Sequence, residues 1–141
     1  MPYHNPFFMI GESTAGAALS LASAADVYTF TIPCKCRLLE AAINLRTAIS
    51  SSGAVVVEFD RTPYNAGTRE SAAVQLTIPT TATTAGNVYY EVPTTEKLLY
   101  KGDIVTVQVA TAATSSGTGT AILTLEYIPE TAANNAYLHA V

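Results

Sequence analysis

The 141-residue chain has no tryptophan, two histidines, two cysteines and only 13% charged residues. Each shortage removes a class of function. The only imidazoles, His4 and His139, lie near the two chain ends, so no base stands near a nucleophile in the body of the chain, as a Ser–His–Asp centre requires. No catalytic residue is therefore assigned. Metal ligation is equally unsupported: a Cys-x-Cys pair, Cys34 and Cys36, with two distant histidines lacks the ligand spacing of a structural zinc site. In an extended segment these two side chains share a face, with Cα atoms near the upper limit for a disulfide. They are expected as buried free thiols, and no cofactor is implied. Seven basic residues, scattered singly against eleven acidic ones for a formal net charge of −4, offer no basic face to a phosphate backbone, which excludes nucleic acid as the expected partner. No apolar run approaches the roughly 18 residues that cross a bilayer, and the first residues lack the basic start and apolar stretch of a secretory signal. Neither a membrane nor an export route is expected.

What the chain has is hydrophobic content, 49%, at a length suited to one domain with one core. Such a composition folds. With so little charge, much of the surface must be neutral, and neutral surface of this kind is commonly covered by a partner. Helical spacing is nearly absent and alternation is everywhere. Val27–Ile32 alternates up to Pro33. Leu39, Ala41, Ile43 and Leu45 share one face against Glu40, Asn44 and Arg46, and Ala54–Arg61 follows a Ser/Gly turn. After a loop over residues 62–72, Val74, Leu76 and Ile78 alternate, as do Val88, Tyr90 and Val92, then Val105, Val107 and Val109, then Leu123, Leu125 and Tyr127. The last two runs pair most simply as a hairpin across an Ala112–Gly119 loop. With a weak strand at Ala18–Leu21, this makes about eight antiparallel strands, an all-β single-domain sandwich or jelly roll. The expected core is Phe30, Ile32, Ile43, Leu45, Val57, Phe59, Leu76, Ile78, Val107, Leu123 and Leu125.

Residues 1–17 and 130–141 fall outside the pattern. They divide the chain into an N-terminal arm, a β-sandwich over 18–129 and a C-terminal tail. Both ends carry apolar anchors, so two alternatives stand: arms ordered against a neighbouring subunit, or segments folded back onto their own sandwich. Tyr3, Phe7, Phe8 and Ile10 would anchor the first, and Tyr137 and Leu138 the second.

Other constellations have bland readings. Glu58 and Asp60 share a strand face beside Arg61, which fits a solvated face with a local ion pair better than a glycosidase dyad. Asp26, Asp60 and Asp103 are not clustered in one loop as calcium ligation asks. Lys101-Gly102-Asp103 is a turn with a charged shoulder. Eight tyrosines are the weightier resource, since a flat amphipathic ring serves sugar stacking or protein contact. Tyr89 and Tyr90 must face opposite sides of a strand, with Tyr90 expected inside and Tyr89 outside, and Tyr64 and Tyr100 are expected on the surface.

The segments Tyr28-Thr29-Phe30-Thr31-Ile32-Pro33 and Val56-Val57-Glu58-Phe59-Asp60-Arg61, the Thr/Ala loops, and the Gly102-Asp103 turn leading into a valine-rich strand cover roughly residues 18 to 129. In these features the chain resembles the small all-β decoration or cement proteins of tailed bacteriophage capsids. The resemblance implies a non-enzymatic protein on the virion surface, made in the host cytoplasm. Its partner would be the major capsid protein, and it would self-associate as a trimer that bridges shell subunits. The alternatives are a head-fibre or tail component, and a carbohydrate- or receptor-binding module using Tyr64, Tyr89 or Tyr100.

Overall fold

The computed structural model of the chain describes residues 6–13, 16–80 and 84–129, the side chains of residues 71 and 72 apart. Ten strands run through them: β1 (Pro6–Gly11), β2 (Leu19–Ser20), β3 (Asp26–Thr31), β4 (Cys36–Ser50), β5 (Val55–Thr62), β6 (Glu70–Ile78), β7 (Val88–Glu91), β8 (Leu98–Leu99), β9 (Ile104–Thr111) and β10 (Ser116–Tyr127). No α-helix occurs among the described residues. β4 runs along one edge of β10, and β1 and β2 share the other. The second edge of β4 carries β7 and β8 in the same way. The six-stranded sheet therefore has four lateral positions, facing a four-stranded sheet in the order β3-β9-β5-β6. Counting β1 with β2 and β7 with β8 as single positions, the first pairs with the eighth, the second with the seventh, the third with the sixth and the fourth with the fifth. This nested antiparallel winding is a jelly roll, so the all-β sandwich expected from alternation is the fold.

The core lies between the sheets, and all of the residues expected there are buried, Ile32, Ile43, Leu45, Val57, Phe59, Ile78, Val107, Leu123 and Leu125 completely. Alternation explains why: Val55, Val57 and Phe59 of β5, Val74, Leu76 and Ile78 of β6 and Val105, Val107 and Val109 of β9 are alternate residues, and the side-chain period of a strand is two. Gly119 of β10 adds a close approach, since a Cβ there would stand 2.6 Å from Ile43 Cγ2.

Three expectations are corrected and one alternative is decided. β9 and β10 form no hairpin: both edges of β9 are taken by β3 and β5, and the short link after Thr111 carries the chain across to the other sheet. Leu38, not Leu39, enters the core, because an irregularity opposite Thr124 and Leu125 of β10 shifts the phase of β4 by one residue. Tyr89 packs against the core while Tyr90, 59% exposed, points outward with Val88 and Val92. The register decides this, for Tyr89 is opposite the inward Ile43 and Tyr90 opposite the outward Ala42. Of the two alternatives for the N-terminal segment, Pro6–Gly11 takes the second, as an edge strand on β10 of its own sandwich, with Phe7 and Met9 packed against the core and Phe8 and Ile10 outside. Its proline opens the strand, where a missing N–H costs least. Tyr3, Tyr137 and Leu138 lie outside the described residues.

Candidate interaction surfaces

The outward face of the larger sheet carries an apolar row that runs across all four lateral positions. Ile10 of β1 is opposite Ile122 of β10, Ile122 opposite Ala42 of β4, and Ala42 opposite Tyr90 of β7. Phe8 and Val88 flank this row in the neighbouring registers, and Phe8 and Ile10 are 67% and 61% exposed. The exposed large side chains stand at the two edges of this face, Phe8 and Ile10 on β1 and Val88 and Tyr90 on β7, with the half-buried Ile122 and the buried Ala42 between them, and exposed apolar groups on one face of a small domain mark a contact surface. Asn44, in register with Val88, adds an enclosed Oδ1 with no hydrogen-bond donor among the described residues. Toward the ends of this face Arg37 Nη1 donates to Glu126 at 3.1 Å and Arg46 Nη1 to Glu12 at 3.3 Å. The polar groups rim the band.

The opposite sheet presents a different outward face. There Asp26, Gln108, Glu58 and Gln75 stand in one row, and Gln75 Nε2 donates to Glu58 at 3.3 Å. Arg69 joins Asp26 through both terminal nitrogens at 2.9 Å and Asp60 through Nε at 2.9 Å. Its hydrogen bonds hold the Asp26 carboxyl below the usual value. Glu58 and Asp60 do share a face, as expected, but the partner of Asp60 is Arg69 and Arg61 turns elsewhere.

Arg61 turns to the end of the sandwich where the β3–β4, β5–β6 and β8–β9 connections meet. Asp103, 1% exposed, accepts from Arg61 Nε at 2.7 Å, from the Tyr64 amide at 3.2 Å and from the Tyr100 amide at 3.0 Å. Gly102 and Ile32 complete the knot, through Gly102 N–H to Ile32 O at 2.8 Å and Ile32 N–H to Asp103 O at 2.9 Å. Lys101-Gly102-Asp103 is thus a turn, but its aspartate is interior rather than a charged shoulder. Gly102 sits at φ +91°, a conformation that side chains with a Cβ rarely adopt. The arrangement brings Tyr64 and Tyr100 together at one cleft, whereas Phe8 and Ile10 lie on the sheet face and Tyr89 is largely inside. Sequence reasoning missed Tyr90, Val88 and Ile122 as outward apolar groups; the pairing of β7 with β4 is the signal that places them.

Among the described residues no group of three or more His, Cys, Asp or Glu side chains is arranged to hold a metal ion. Cys36 is buried, and burial, with the nearby Cys34 and Asp103, pushes its thiol up to about 12, whereas Cys34 is half-buried in the turn before β4. The described residues form a jelly-roll sandwich whose larger sheet exposes apolar side chains at its outward edges and whose smaller sheet carries an outward polar row. No family model matches the chain, and no curated protein does. Among solved structures it is similar to a chain of the one described as "Capsid of Ralstonia phage GP4", with a TM-score of 0.55 and 15% sequence identity, over 91% of this chain and 88% of that one. At that identity the likeness is one of fold.

Proposed function

We propose that the protein is a non-enzymatic structural component of a virion, a decoration or cement protein that docks on the outside of an icosahedral shell. The observation that carries this reading is the likeness of fold, over nearly the whole of both chains, to a chain from a phage capsid structure. The outward apolar row of the larger sheet supplies a docking surface, with Phe8, Ile10, Ile122 and Tyr90 as anchors. Such a surface is costly to leave in water and is stabilised by burial against a partner, at about 25 cal/mol per Å² of apolar area. The partner is the major capsid protein, and a trimer of the chain would place three such faces around a symmetry axis of the shell. Many copies bound to the assembled shell and not to free subunits would stabilise the assembly by mass action. Cementing is then binding, and needs no catalytic group.

Quantitative mass spectrometry of purified particles tests the reading against the main shell protein. A ratio near one, or a simple fraction of it, is the expected result. A few copies per particle would assign the chain to a fibre or tail instead, and absence from particles would overturn the virion role.

A further inference from the structure

All four arginines of the chain form ion pairs, with Glu96 and Glu126, with Glu12, with Asp103 and Glu70, and with Asp26 and Asp60. The three lysines, Lys35, Lys97 and Lys101, form none among the described residues, and they stand in the β3–β4 turn, just before β8 and in the β8–β9 turn. These positions gather at one end of the sandwich, the end organised by Asp103. We propose that this end binds an acidic saccharide, a sugar unit bearing a carboxylate. Tyr64 would stack on the ring, Asn65 would hydrogen-bond its hydroxyls, and Lys35, which has no carboxylate partner among the described residues, would meet the carboxylate.

Tyr64, Asn65, Tyr100, Arg61 and Asp103 line a cleft of about 360 Å³, within the range of small-ligand pockets. A second cleft of about 330 Å³ shares Arg61 and Tyr100 in its wall and is lined further by Leu38, Phe59, Lys97 and the carboxylates Glu70 and Glu96, so the acidic unit belongs in the first cleft. The Tyr64 ring is free to stack, being 68% exposed, yet its backbone is pinned by the Asp103 carboxylate. The Tyr100 ring instead holds cations, with Lys35 Nζ 5.8 Å and Arg61 Cζ 5.7 Å from its centroid. An open aromatic face beside an amide complements the C–H face and hydroxyls of a pyranose, and the unpaired Lys35 at the same end of the sandwich favours a negative charge. Pre-organisation by Asp103 lowers the ordering cost of binding. An acidic protein segment would meet the same cations but would gain little from an open ring at the wall of a cleft this small.

Binding of the intact chain to a glycan microarray, followed by calorimetric titration, tests this. The expected result is retention of uronic- or sialic-acid glycans. Reducing the carboxylate to the alcohol would weaken binding about tenfold or more, as would Tyr64→Ala, whose thermal midpoint should stay unchanged. Lys35→Ala should weaken binding to the acidic glycan and leave binding to its reduced form unaltered. Equal affinity for the reduced glycan, no retained carboxylated glycan, or an unaffected Tyr64→Ala variant would overturn the proposal. So would binding of poly-glutamate as tight as that of the glycan, which would assign the end to an acidic protein segment. The inference stands apart from the shell reading, since Tyr64→Ala should still bind particles through the sheet face.

Discussion

Two rows of side chains, one across each sheet, occupy equivalent outward positions in the same jelly roll. Across the smaller sheet the row reads Asp26, Gln108, Glu58, Gln75, and across the larger it reads Ile10, Ile122, Ala42, Tyr90. Both sheets bury comparable inner faces in one shared core. Folding therefore asks nothing different of the two outer faces, and water solvates only the first well. The apolar row adds nothing to the core, so the difference points to contact with something beyond the chain. A protein that exposes one sticky face and one polar face is oriented when it docks. Docked on a shell by its larger sheet, as proposed, the chain would present the polar face to the medium.

The harshest way to break the comparison is to remove what both faces share. Phe59, fully buried in β5, should cost about 3–5 kcal/mol as Phe59→Ala. Urea unfolding would read that loss, with both faces disrupted together. A sharper cut separates the faces. Tyr90→Glu and Ile10→Glu should weaken binding to shells that lack the protein by about 30-fold or more, the scale of an interface hot spot. Their stability should stay within about 0.5 kcal/mol, since both side chains are exposed. Gln75→Glu on the polar face should leave shell binding unchanged, and sedimentation of protein with shells would compare the three.

The smallest effect belongs to the polar face. Because the Arg69 hydrogen bonds hold the Asp26 carboxyl below its usual 3.8, the stabilisation is present above that pH and is lost as pH falls through the lowered value. The pair is half exposed, so the change should be about 0.5 kcal/mol or less. Asp26→Asn should remove this acid limb from a plot of urea midpoint against pH, with no effect on shell binding.

Much of this was legible in the sequence, and for a local reason. β3, β5, β6 and β9 alternate over their central residues, so the period of two places Phe30, Val57, Phe59, Leu76 and Val107 inside without knowledge of any neighbour. What alternation cannot supply is phase where both faces are apolar. Val88-Tyr89-Tyr90 reads equally well either way round, and only the pairing of Tyr89 with Ile43 settles it. The shift that swaps Leu38 for Leu39 is likewise a property of two strands. The Asp103 knot joins residues from three connections, Arg61 and Tyr64, Tyr100, and Ile32, and no spacing in the chain announces it. The hairpin expected between β9 and β10 failed because sequence proximity says nothing about which edges are already occupied.

The most direct test of the docking face is hydroxyl-radical footprinting of the chain, free and on particles. Phe8, Ile10 and Tyr90 are exposed in the free chain and should lose most of their reactivity on the shell, while Val56 and Ile104, outward on the polar face, should keep theirs. Protection of Val56 and Ile104 with Phe8, Ile10 and Tyr90 left reactive would contradict the assignment and put the shell against the other sheet.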